Sequence, residues 1–311
     1  MTNLALDSST AAPWKVGLVV AAAPLLIFGW DMGMALTVQR HCPVIARDEL
    51  ELYLIVKASF LLPLCLLLWA TGNWRRCGLR GGIGLRYWPA MLPAWIAAAI
   101  AAMQLTPNIP VEQAAGWLAV GLAVAIGEEI VFRGIVFDTL APHGTRLAVI
   151  ASALLFGVAH LIGIEAGKDW HMVLAQAGFA TGLGLCFGWI RAATGSLWPG
   201  IIAHTAMDGI GLAAADGVNG AMSYASDSFY GVATMAGFSL VWGALVVARP
   251  VPVRTQEEFR LTGAIIPSKP AIHPEDPAET RGRQNSDALH GGGAAAAPVL
   301  HQSNPLPDRA R

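Results

Sequence analysis

The sequence is short of charge. Of its 311 residues only 13% are Asp, Glu, Lys or Arg, against 55% hydrophobic residues and a mean hydropathy of +0.52. A soluble domain carries about a quarter charged residues, so this balance excludes an ordinary water-soluble globule and implies a polytopic membrane protein. Net charge is −1 and no basic cluster is present, which leaves no footing for nucleic acid. Cysteine is scarce too. Cys42, Cys65, Cys77 and Cys186 stand apart without CxxC spacing, which argues against a disulfide framework and a thiolate metal site. The stretch from Met1 to Trp14 lacks the basic opening of a cleaved signal peptide, so the first apolar run is expected to remain as a helix.

What the chain does have is long apolar runs, at about 14–38, 52–71, 88–104, 116–140, 146–162, 171–190, 197–214 and 229–248. Each holds roughly 17–25 residues, the length a helix needs to span a bilayer at about 1.5 Å per residue. The expected fold is therefore all-α, a membrane bundle of about eight transmembrane helices. Arg75, Arg76, Arg80, Arg86, Arg146, Arg191, Arg249 and Arg254 all fall on one side of such a bundle, together with Lys15. Arg40, Arg47 and Lys168 are the exceptions opposite them. The positive-inside rule then puts both termini in the cytoplasm. Richness in Ala, Gly, Trp and Arg with few lysines suggests a bacterial inner membrane.

Three segments follow: 1–13 as a short cytoplasmic lead, 14–248 as the helical domain, and 249–311 as a tail. From Pro250 onward the chain holds nine of its nineteen prolines and the run from Gly291 to Pro298, GGGAAAAP, without helical or strand periodicity. That composition predicts disorder. His273, His290 and His301 are too dispersed within it to suggest a metal site.

Charge inside the spans is rare and concentrated. Glu128, Glu129 and Arg133 interrupt a run that is apolar from Ala114 to Val136. Each central charge costs roughly 2.5–3.5 kcal/mol on insertion scales unless paired or hydrated. Glu129 and Arg133 are four apart and can bridge along one helix face. Glu128 lies about 100° around the helix, free to face its neighbours. The other ionisable groups are His160, then His204 and Asp208 four apart on one face, with Phe156 one turn before His160. Asp31 and Lys57, near the outer ends of the first two spans, read as a structural ion pair.

Depth allows these groups to meet. His160 lies about 21 Å beyond Arg146, and Glu128 about 18 Å from a fourth helix ending at Leu140. His204 falls about 10–15 Å in. A fourth helix stopping before Val136 would pull Glu128 away from His160. One chemistry is hydrolysis: a desolvated carboxylate takes a proton from water, an imidazole holds that water, and a second polar cluster stabilises the oxyanion. Another is a divalent metal held by Glu128, His160 and His204, although HExxH spacing is absent. No other cofactor is implied.

The motifs in order, Glu128-Glu129-xxx-Arg133, Phe156-xxx-His160 and His204-xxx-Asp208, resemble the CAAX prenyl protease and bacteriocin-processing (CPBP, or Abi) family of glutamate-type intramembrane endopeptidases. The resemblance covers about 116–214. It implies that Glu128 activates the attacking water with His160, and that His204 and Asp208 stabilise the oxyanion, with Glu129, Arg133 and Phe156 in support. Many members carry Asn where this chain has Asp208. An ionised Asp208 would repel an oxyanion, so it must be protonated or act by keeping His204 as imidazolium. The implied partners are a peptide or membrane-protein substrate, C-terminally tagged or membrane-associated, and the lipid bilayer. Two rivals from other classes stay open: an immunity or partner-binding scaffold, and a proton-coupled transporter using Glu128 and His160 as a relay.

Overall fold

A computed structural model describes residues 13–70, 72–163, 169–221 and 229–251. The expected tail and the three histidines in it lie outside these residues, apart from the first few positions of the tail. Among the described residues the fold is helical throughout, with no strand. The long helices are α1 (Pro13–His41), α2 (Glu49–Ala70), α3 (Leu92–Ala102), α4 (Val111–Glu129), α6 (Thr145–Ala159), α7 (Trp170–Thr194), α8 (Trp198–Ala214) and α9 (Phe229–Ala248). A single α turn, α5 (Phe137–Leu140), follows α4 after an intervening helical segment of different pitch.

Local chemistry explains the ends. Asp169 precedes α7 and its carboxylate accepts the His171 and Met172 backbone N–H groups at 3.0 and 3.1 Å. That satisfies donors a helix start otherwise leaves orphaned. Gly195 stops the same helix in the left-handed region at φ 64°, where glycine carries no Cβ penalty. Proline opens the first turns of α3 and α8, where its missing N–H costs nothing.

Five helices are long and apolar enough to cross a membrane: Val16–His41, Glu49–Ala70, Thr145–Ile162, Trp170–Thr194 and Phe229–Ala248. This makes the chain an all-α polytopic membrane bundle, but it trims the expected count of about eight. The third expected span contains a regular α-helix of only 11 residues, preceded by the 3-10 run Leu85–Met91. At about 1.5 Å per residue α3 covers roughly half of a hydrocarbon core about 30 Å thick. The fourth and seventh expected spans hold the charged groups of interest, and those groups lower their hydropathy.

Small residues set how closely the helices approach. A Cβ at Gly121 on α4 would sit 2.6 Å from the Gly209 backbone nitrogen on α8. One at Gly243 on α9 would sit 2.7 Å from the Gly182 carbonyl on α7, and one at Gly184 would sit 2.8 Å from the Ala153 Cα on α6. Without a hydrophobic drive between helices in lipid, such backbone-to-backbone approach is what binds them. Leu50 and Phe60 of α2 pack against Gly116 and Gly127 of α4. Ten residues along one helix match eleven along the other, so α2 and α4 run parallel.

Candidate active site

The helix after Glu129 changes pitch. Residues Ile130–Val136 form a π-helix, with hydrogen bonds reaching five residues back, before α5 restores the α form. The run therefore stays helical to Leu140, as the depth argument required. Sequence periodicity gave no sign of the wider turn, which begins directly beyond the two glutamates. Ile130, Val131, Phe132, Arg133, Gly134 and Val136 are all buried within it.

The two glutamates then part company. Glu129 is 1% exposed and accepts a hydrogen bond from Arg133 Nη1 at 3.0 Å; Arg133 itself is 0% exposed. The guanidinium lies over the Phe156 ring at 4.2 Å and faces Phe187 at 5.6 Å. Aromatic faces stabilise a cation where water is excluded. They also stand beside Arg133 Nε and Nη2, which have no hydrogen-bond partner among the described residues. Gly200 makes room for the box, since a Cβ there would sit 3.0 Å from Glu129 Oε2. Glu128, by contrast, is 13% exposed and lines a cleft of about 220 Å³ with Ile27, Asp31, Lys57, Phe60 and Gly127.

His204 sits between them. Its Nε2 lies 3.2 Å from Asp208 Oδ2 and 3.7 Å from Glu128 Oε2. Its Nδ1 lies 3.4 Å from Glu129 Oε1, yet has no aligned hydrogen bond among the described residues, so this contact is electrostatic. Phe156 and Phe187 flank the ring at 6.0 and 5.9 Å between centroids. Glu128, Glu129, Arg133, His204 and Asp208 thus form one cluster joining α4, the π segment and α8.

His160 stands at its edge. It begins the 3-10 turn that ends α6, and its Nδ1 is 2.8 Å from the Phe156 carbonyl. A hydrogen on Nδ1 satisfies that contact and leaves Nε2 as an acceptor in the neutral ring. Phe156 packs edge-on at 4.8 Å, so both imidazoles share one phenyl ring. Among the described residues, however, His160 makes no hydrogen bond or ion pair with Glu128. The carboxylate reaches toward His204 instead. No three His, Cys, Asp or Glu side chains converge as metal ligands among the described residues, so Glu128, His160 and His204 do not fit the metal set considered from the sequence.

Sequence reasoning missed one buried cation, Arg191 of α7, which it used only as a marker of orientation. Its Nη2 donates to the Arg76 carbonyl at 2.7 Å and to Asp138 Oδ1 at 2.9 Å, while Nε donates to the Arg133 carbonyl at 3.2 Å. Leu197 N–H and Trp198 Nε1 donate to Gly78 and Leu79 carbonyls at 3.0 and 2.8 Å. The arginine-rich connection is thereby clamped onto the π segment and the α7–α8 turn. Partners 58 and 115 residues apart leave no local signature.

Residues 110–210 match the family described as Rce1-like, type II CAAX prenyl endopeptidase. The match covers about a third of the chain, overlaps the stretch read from the motifs, and contains every residue of the cluster and His160. Neither the curated proteins nor the solved structures compared with the chain include a match. The family match and the apolar helices together point to an integral membrane protein of the CAAX endopeptidase kind.

Proposed function

We propose that the chain hydrolyses a peptide bond in a membrane-associated or C-terminally tagged substrate, with Glu128 as the base. The observation that carries this reading is the difference between two neighbouring carboxylates. Glu129 is consumed by Arg133, while Glu128 faces both the cleft and His204.

In this mechanism Glu128 takes a proton from a water that the free Nε2 of His160 helps to hold. The resulting hydroxide oxygen bonds to the scissile carbonyl carbon, and the carbonyl oxygen becomes an oxyanion. His204 donates to that oxygen from Nε2 in a site poor in water, where a fixed donor is worth most. Asp208, 3.2 Å from Nε2, acts through His204 by keeping that nitrogen a donor and does not itself touch the oxyanion. The C–N bond then breaks, and protonated Glu128 returns its proton to the leaving amine. No metal enters any step, so a chelator such as EDTA should leave the rate unchanged.

The substrate is approached in cells and in vitro. C-terminal peptides are compared by mass spectrometry between membranes holding the native chain and the Glu128→Gln variant, expressed equally. Termini produced only by the native chain identify the cleaved bonds. In vitro, the first probe is an internally quenched peptide ending in S-farnesylcysteine, valine, isoleucine and serine, as the matched family's description suggests. Identical termini with both chains would overturn the protease reading and favour a scaffold.

A further inference from the structure

The cleft beside Glu128 has a second polar wall that the hydrolytic mechanism leaves unused. Lys57 of α2 pairs with Asp31 of α1, and both line the same cavity as Glu128. This is a poor structural bridge. Asp31 Oδ1 is buried without a hydrogen-bond partner among the described residues, and Lys57 spends one of its N–H donors on Asp31. An ammonium has three donors. Lys57 has no further hydrogen-bond or ion-pair partner among the described residues, and its side chain keeps 21% of its exposure. A cation with spare donors, facing a cavity, is arranged to receive an anion.

The helix register fixes how far that anion lies from the reacting bond. Leu50 meets Gly116 and Phe60 meets Gly127, so Lys57 is level with Val124, another wall of the cleft. That is one turn, about 6 Å along the axis, from Glu128. An extended peptide advances about 3.3–3.6 Å per residue. A carbonyl held at Glu128 therefore brings a carboxylate about two or three residues away within reach of the ammonium.

We infer that Lys57 is a substrate-recognition residue: it binds a peptide carboxylate close to the scissile bond, and Asp31 holds the ammonium in the cleft until that carboxylate arrives. The inference rests on the hydrolytic reading of the cleft. A chain-terminal carboxylate and an acidic side chain present the same group, and the probes below separate them.

Binding is measured with the full-length Glu128→Gln protein in lipid nanodiscs, so that no turnover is needed. Three forms of the farnesylated peptide are used: the free acid, the C-terminal amide, and the amide with aspartate in place of the terminal serine. Either carboxylate form should bind about tenfold or more tightly than the plain amide, since hydrogen bonds to charged groups are the strong ones. Which of the two does so names the source. Adding Lys57→Gln should erase the preference, and adding Lys57→Arg should keep it. The Asp31→Asn/Lys57→Gln pair removes both charges, leaves no ion unpaired, and should also erase it. Asp31→Asn alone should strengthen carboxylate binding by removing a competing anion. A preference that survives Lys57→Gln and the double change overturns the inference, as does equal binding, or no binding, of all three forms. Neither outcome touches the role of Glu128, which is decided by loss of turnover alone.

Discussion

Two ion pairs, one on each side of Glu128, show how differently this bundle treats charge. Glu129–Arg133 is sealed between Phe156 and Phe187, and its guanidinium is 0% exposed. Asp31–Lys57 is half open, with one carboxylate oxygen orphaned and most of its donors unspent. Breaking a buried pair leaves an uncompensated charge, so the first is bound into stability. The second carries less of it and is available for exchange. Glu128 lies between a fixed wall and an adaptable one, an arrangement suited to a group that must change its proton and its partners.

The sharpest way to break that contrast is to neutralise each glutamate in turn. Glu128→Gln should reduce turnover by about 10³-fold, within the range for a general base, while thermal unfolding in detergent stays near native. Glu129→Gln should do the reverse in kind. Leaving Arg133 buried and unpaired costs about 3–5 kcal/mol, read as a large fall in melting temperature and in folded yield. Equal loss of folding in both variants would erase the distinction between the two carboxylates.

A smaller effect tests the wall that carries His204. Gly121→Ala should cost about 1–3 kcal/mol in unfolding measurements, because its Cβ would collide with the Gly209 backbone and force α4 from α8. Gly211→Ala, which meets nothing within 4 Å, should be neutral. If both behave alike, the close α4–α8 crossing is not what positions Glu128 against His204.

The smallest expected effect lies outside the bundle, at the start of α7. The Met172 backbone N–H holds the Asp169 carboxyl below its ordinary range. A depressed carboxyl contributes stability above its unfolded pKa and loses that contribution as pH falls through the folded value. Asp169→Asn should therefore flatten the acid limb of a melting curve slightly and leave neutral pH almost unchanged. A change at neutral pH comparable to that of Glu129→Gln would show that surface charge matters as much as the sealed pair.

Much of this contrast was legible before any coordinates. Four-residue spacing alone divided Glu129, facing Arg133, from Glu128, facing elsewhere, and it put His204 and Asp208 on one face. Those inferences concern groups on a single helix, where geometry follows from the chain itself. Relations across helices were less accessible. Glu128 turns to His204 rather than His160 because His160 ends its helix with Nδ1 committed to the Phe156 carbonyl. The Asp31–Lys57 pair was foreseen, but its place in the cleft of Glu128 depends on a crossing of three helices that no periodicity records. The short α3 was overread because apolar residues in a 3-10 run look the same as those in an α-helix.

The π segment has a consequence for how the molecule tolerates insertion and deletion. A wider turn holds an extra residue compared with an ordinary one, so it works as a phase shifter between Glu128 upstream and Asp138 downstream. Removing a single residue from Ile130–Val136 would let the segment relax to a plain α-helix without breaking the chain. Everything beyond would then swing by about 100° relative to the glutamates, and Asp138 would leave the reach of Arg191. Membrane helices usually absorb small length changes at their ends; here one residue in the middle sets which way the two halves face.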